Sequence, residues 1–206
     1  MTSSFSLKQV VSALVVTSTL AASSMALAAA DAPARVRGTI SKISGDTIDV
    51  KVRGGKDVVL TLDPAANFLT ADHAAITDIK SDSFIGTAAV PQADGTLKAL
   101  EVTVFPAGMK PGEGHYPWDL GPKSTMTNGT VGDVVVAQGR TITVKYPNGE
   151  KKILVPTDVP VVLIGKSDRS ALVTGAHAVF FLKKSANGSA VVGNVIVGKG
   201  SVVPPM

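Results

Sequence analysis

Apolar and polar residues alternate along short stretches of this chain, and the alternation occurs in two copies. In Thr47-Ile48-Asp49-Val50-Lys51-Val52 every second residue is apolar, and Thr141-Ile142-Thr143-Val144-Lys145-Tyr146 repeats the pattern with the same face apolar. A period of two marks a strand with one buried face. Each copy is preceded by a Gly-Thr start, Arg37-Gly38-Thr39-Ile40 and Asn128-Gly129-Thr130-Val131. Each is followed by a two-residue turn signal, Gly54-Gly55 and Asn148-Gly149, residue types that tolerate the positive φ of a primed hairpin turn. Third strands are predicted over 57–62 and 151–155, ended by Asp63-Pro64 and Pro156, because proline cannot donate to a ladder.

The stretches after these strands differ. Residues 65–83 are Ala-rich and admit a short helix. Residues 157–174 are richer in Val and Gly, and a loop or short helix fits there too. Two further strands follow in each copy, 84–90 with 97–105 and 177–183 with 191–197, joined by Asp94-Gly95 and Asn187-Gly188. Val179-Phe180-Phe181-Leu182 is apolar at consecutive positions, which predicts a strand covered on both faces.

Each copy therefore reads as three strands, a connection and two strands. The expected fold class is all-β: two tandem five-stranded OB-like small barrels, the first over 35–106 and the second over 127–199. An SH3-like barrel or a small open sandwich fits the same pattern. About seventy residues is near the lower limit for an independent core, so the copies are expected to pack on each other or on the segment between them.

The N-terminus changes the picture of where this fold works. Residues 10–22 form an apolar run after Lys8, and Ala26-Leu27-Ala28 has the small-x-small form that signal peptidase reads. Residues 1–28 are thus expected to be a signal peptide, with the mature chain periplasmic or secreted and without a membrane span. The chain has no cysteine, so disulfides cannot supplement a small core. It carries 20 basic and 16 acidic residues; without Lys8 the balance is 19 to 16, a weak and scattered excess that offers no stripe for nucleic acid.

The segment 107–126, between the copies, has the Pro and Gly content of a linker but not its chemistry. It holds the only Trp of the chain, Trp118, together with Tyr116, Leu120, His115, Met109 and Met126. A flexible spacer would leave these side chains in water, whereas burying each is worth on the order of 2 kcal/mol. An ordered loop laid into a groove is expected. The run Val104-Phe105-Pro106, Met109, Gly112-Glu113-Gly114-His115, Pro117-Trp118-Asp119-Leu120 and Ser124-Thr125-Met126-Thr127-Asn128-Gly129-Thr130 resembles a bacterial family of exported proteins built from small β-barrel modules of a domain of unknown function. Members of that family are sometimes labelled "metal ABC transporter permease", a description that the span-free mature chain does not suit. The resemblance implies a fold type and an exported location, and brings no catalytic residues with it.

Candidate chemistry concentrates in the same segment. His115, Met109 and Met126 are a thioether and imidazole set of the kind that favours copper, with Glu113 and Asp119 nearby. No His-x-His or Met-x-x-Met spacing supports it, and His73 and His177 do not match between copies. Ser124, His115 and Asp119 have the residue types of a catalytic triad but no nucleophile elbow. Glu101 and Asp119 are unmarked as a carboxylate pair. The expectation is an exported, non-enzymatic binding or structural module needing no cofactor. Its binding residues would be Glu113, His115, Tyr116, Trp118 and Asp119, and its partner a protein or small ligand. The alternative is a periplasmic copper- or zinc-binding accessory protein using the joining loop.

Overall fold

The structure is a computed structural model that describes residues 35–52, 55–135 and 140–204. The expected signal peptide and Gly54 of the first turn lie outside the described residues. Thirteen strands run through the described chain: β1 (Arg35–Ser44), β2 (Thr47–Val52), β3 (Asp57–His73), β4 (Phe84–Pro91), β5 (Leu97–Ala99), β6 (Val102–Phe105), β7 (Gly114–Pro117), β8 (Thr125–Val135), β9 (Thr141–Tyr146), β10 (Gly149–Leu154), β11 (Val161–Ser167), β12 (His177–Lys184) and β13 (Ala190–Gly198). Two 3-10 turns, Ile76–Asp78 and Arg169–Ala171, are the only helical pieces among the described residues. The protein is all-β and contains a closed five-stranded barrel. No helix among the described residues is long and apolar enough to cross a membrane.

The pairings do not follow the tandem boundaries expected at 35–106 and 127–199. One ring is β13-β12-β1-β2-β3, closed by parallel pairing of β3 with β13. A second cycle links β4, β8, β9, β10 and β5, where β10 pairs β5 in parallel and β4 pairs both β5 and β8. The first, the outer ring, is built from the two ends of the described chain. The second, the inner ring, is drawn from one continuous stretch, β4 to β10. β3 and β11 lie antiparallel between them, from His73 opposite Val162 to Phe68 opposite Ser167, and join all thirteen strands into one sheet.

The cores follow the rings. One cluster, from Ile76 to Val161, includes Ile85, Val102, Val131, Ile142 and Ile153, all fully buried. The other takes Ile40, Ile48 and Val50 from the start of the chain and Phe180, Val192 and Val195 from its end. Alternation therefore identifies the buried faces correctly, but cannot state which strands share a core. The apolar run in β12 has the expected physical cause: Phe180 enters the outer ring's core while Phe181 packs on a third cluster outside it.

Three local expectations are corrected. The first part of the Ala-rich stretch, 65–73, is not helical but continues β3 to His73, where β13 and β11 flank it and pairing outweighs the helix preference of alanine; the short helix admitted there is confined to the 3-10 turn Ile76–Asp78. Residues 161–167 are likewise strand. Pro64 does not end its strand, because the β13 register skips from Leu62 to Asn67 and the backbone N–H of Ala65 donates to the Asp63 carboxylate instead. The Gly-Thr starts have a packing reason. A Cβ on Gly38 would run into the carbonyl of Lys51, and one on Gly129 into that of Lys145, on the neighbouring strand.

This pairing predicts which piece of the chain folds alone. A fragment spanning 74–161 contains every residue of the inner ring's core and should melt cooperatively, as followed by circular dichroism. A fragment spanning 35–106 retains β1, β2 and β3 without β12 and β13, and should show no cooperative transition.

Candidate functional site

The joining segment is ordered because it becomes an edge strand. β7 pairs antiparallel with β8, with Gly114 opposite Asn128 and Pro117 opposite Thr125. Its tip is closed by Ser124, whose backbone carbonyl accepts from Trp118 N–H at 2.8 Å and whose hydroxyl donates to the carbonyls of Trp118 and Gly121. Asn128 fastens the other end. Its amide donates to the carbonyls of Pro111 and Gly112 and to the Tyr116 hydroxyl at 2.8 Å.

Strand alternation then sorts the side chains. Tyr116 and Met126, cross-strand neighbours, pack on the third apolar cluster with Met109, Trp118 and Leu120. That cluster includes Phe84, Phe105, Ile164 and Ile196 and occupies the region where the two rings meet. His115 and Thr127 form the next cross-strand pair, on the opposite face. The His115 imidazole is hydrogen-bonded to the Thr127 hydroxyl at 2.9 Å and stacked on Tyr146 with centroids 6.2 Å apart. Burial, with the positive charge of Lys151, lowers its pKa and favours the neutral ring.

Trp118 is half-buried and clamped. The Arg35 guanidinium lies 3.6 Å over its ring, a cation–π contact, and Tyr116 meets it at a tilt with centroids 5.9 Å apart. Arg35 and Arg37, two apart on one face of β1, both reach Asp119. Arg37 holds it bidentately at 2.8 and 3.1 Å, and Arg35 adds a contact at 3.3 Å. Burial pushes the Asp119 carboxyl pKa up, but the hydrogen bond and charge of Arg37 and the charge of Arg35 outweigh it, so the net shift is downward. The clamp pins the segment to the outer ring across more than eighty residues of sequence.

Beneath the segment is a cleft of about 1040 Å³. Phe68 and Leu69 of β3, Phe105, Met126, Phe181 and Ile196 wall it, and Met109, Tyr116 and Trp118 roof it. Asn67 and Asn194, hydrogen-bonded to each other across β3 and β13, and the cations Arg35, Lys166 and Arg169 supply its polar positions. Two side-chain polar atoms of lining residues, Trp118 Nε1 and Asn128 Oδ1, are buried without a partner. A mostly apolar concavity of this size with a few fixed polar groups is the usual form of a small-molecule site.

Of the residues singled out in the sequence, Tyr116, Trp118, Met109 and Met126 come together at the cleft. Asp119 lies behind them in the arginine clamp. Glu113 is exposed and makes no ion pair among the described residues. His115 is across β7 from the two methionines, so these three do not surround one point, and no cluster of three or more His, Cys, Asp or Glu suited to a metal occurs among the described residues. Ser124, His115 and Asp119 each bond a different neighbour and do not form a relay. The residues that sequence reasoning missed are Arg35, Phe68, Lys166, Arg169, Asn128 and Asn194. The Arg-x-Arg spacing that opens β1 was the one available signal, since two like charges on one face ask for an anion.

Glu101 is marked by burial and not by chemistry. It is fully buried, accepting from Ala88 N–H and the Thr103 hydroxyl at 2.9 Å each, and burial raises its pKa to about 7 although those hydrogen bonds and the charge of Arg37 oppose the shift.

None of the protein-family models matches this chain, and no curated protein or solved structure is significantly similar to it.

Two outcomes are expected. Asn128→Ala removes three hydrogen bonds from the joining segment; it should cost about 1–3 kcal/mol in urea unfolding and shift Trp118 emission to the red. Glu101 takes up its proton more readily folded than unfolded, so its contribution is complete below pH 4.5 and is lost as pH rises through about 7. The melting temperature should therefore fall over that interval, by the equivalent of roughly 3 kcal/mol, and Glu101→Gln should flatten the dependence.

Proposed function

We propose that this protein is an exported, non-enzymatic binding module whose ligand site is the cleft under the joining segment. The observation that carries the reading is the roof itself. Tyr116, Trp118 and Met109 are held over an apolar floor by Asn128 and the arginine clamp, while a large volume beneath them is left unfilled by protein. A segment kept only to connect strands gains nothing from that gap, because apolar side chains lose dispersion contacts on their open side. A ligand supplies those contacts. Export, to the periplasm or outside the cell, rests on the character of residues 1–28.

The test is direct because Trp118 is the only tryptophan. Titrating the protein with the neutral apolar fluorophore N-phenyl-1-naphthylamine should give saturable one-to-one binding with energy transfer from Trp118. Asn67→Phe, which fills the mouth of the cleft from an exposed position on β3, should weaken binding at least tenfold. Absence of saturable binding, or binding indifferent to that substitution, would remove the proposal.

A further inference from the structure

The charges around the cleft are not balanced, and the imbalance narrows the ligand. Three cations line it, Arg35, Lys166 and Arg169, against one carboxylate, Asp168. Asp168 accepts the backbone N–H of Ser170 at 2.8 Å and so caps the short turn that follows β11. Arg35 is taken up by Asp119 and the Trp118 ring, and Arg169 by the Asp46 carboxylate at 2.8 Å and the Gly45 carbonyl. Lys166 is exposed and makes no ion pair among the described residues. Counting Arg37, which shares Asp119 with Arg35, four cations stand against three carboxylates, and the cation without an ion pair among the described residues is Lys166, near the end of β11.

Resting on the reading of the cleft as a ligand site, we propose that its ligand is a single-chain anionic amphiphile, a fatty-acid-like carboxylate. Its head lies at Lys166 and its chain along Leu69, Phe105 and Phe181. A wall of such apolar side chains takes an apolar chain. An acidic head is what an ammonium without an ion pair at the mouth attracts. The cleft volume, at the upper end of the range for small-molecule sites, accommodates one chain with its head group. Lys166 occupies a β11 position opposite Leu69 of β3, so the charged mouth and the apolar wall are fixed by one strand pairing.

The experiment uses the full chain and Trp118 emission, with monomeric dodecanoate, dodecanol and dodecyltrimethylammonium as probes below micelle formation. Dodecanoate should bind at least tenfold more tightly than dodecanol, and the cationic probe most weakly. Affinity should rise about threefold to fourfold for each methylene between decanoate and dodecanoate, as burial of the chain requires. Lys166→Glu should bring the dodecanoate-to-dodecanol ratio to one or below. Equal affinity for acid and alcohol, or a ratio untouched by Lys166→Glu, overturns the inference and leaves the cleft as a site for neutral apolar molecules. Failure of every probe, the neutral fluorophore included, overturns the binding-module reading with it.

Discussion

The architecture depends on the length of β3. Its seventeen residues pair with three partners: β2 near its start, β13 in parallel along its middle and far end, and β11 along its last third. The first two pairings close the outer ring and the third ties that ring to the strands of the inner cycle. Each partner satisfies backbone groups that a shorter strand would expose or leave to a loop. The local devices that keep β3 continuous past Pro64 are small: a shift in the β13 register and the carboxylate of Asp63. They let one strand leave one core and enter the boundary of the next without a helix between.

The cleft is a consequence of that boundary. Where β3 and β11 run side by side, neither ring's core reaches, and a third apolar cluster forms from side chains pointing outward from both. The joining segment is placed over it by three independent attachments: the β7–β8 ladder, the Asn128 hydrogen bonds and the Asp119 clamp on β1. The last of these joins a residue near the start of the outer ring to one in the middle of the chain. Ring closure and cleft assembly are therefore linked, since β1 must be in the outer ring for Arg35 and Arg37 to meet Asp119 and Trp118.

Much of this was legible in the residues, and the limits are physical. The alternation in 47–52 and 141–146 correctly marks Ile48, Val50, Ile142 and Val144 as buried, because a strand's faces are decided locally. The Asp94-Gly95 turn and its counterpart at Asn187-Gly188 both place glycine at positive φ, 83° and 84°, as their residue types require. Trp118 and Tyr116 were identifiable because an aromatic pair in a Pro- and Gly-rich stretch is costly to leave in water. Partner choice was not legible. β1 has the same apolar face whether it lies beside β4 or β12, so tandem barrels and the observed rings share one pattern. The strand over 65–73 was hidden because alanine carries a helical preference that only the flanking strands override. His115 was grouped with the methionines by nearness in sequence, and a strand sends neighbours to opposite faces.

Ring closure and the cleft both follow from the pairing of β1 with β12. Nuclear magnetic resonance of the full chain in solution can read it through cross-strand amide contacts. The account predicts contacts linking Val36 with Phe180 and Gly38 with Ala178. A ladder instead joining β1 to residues 84–91 would mean that each half of the chain closes on itself, and would contradict it.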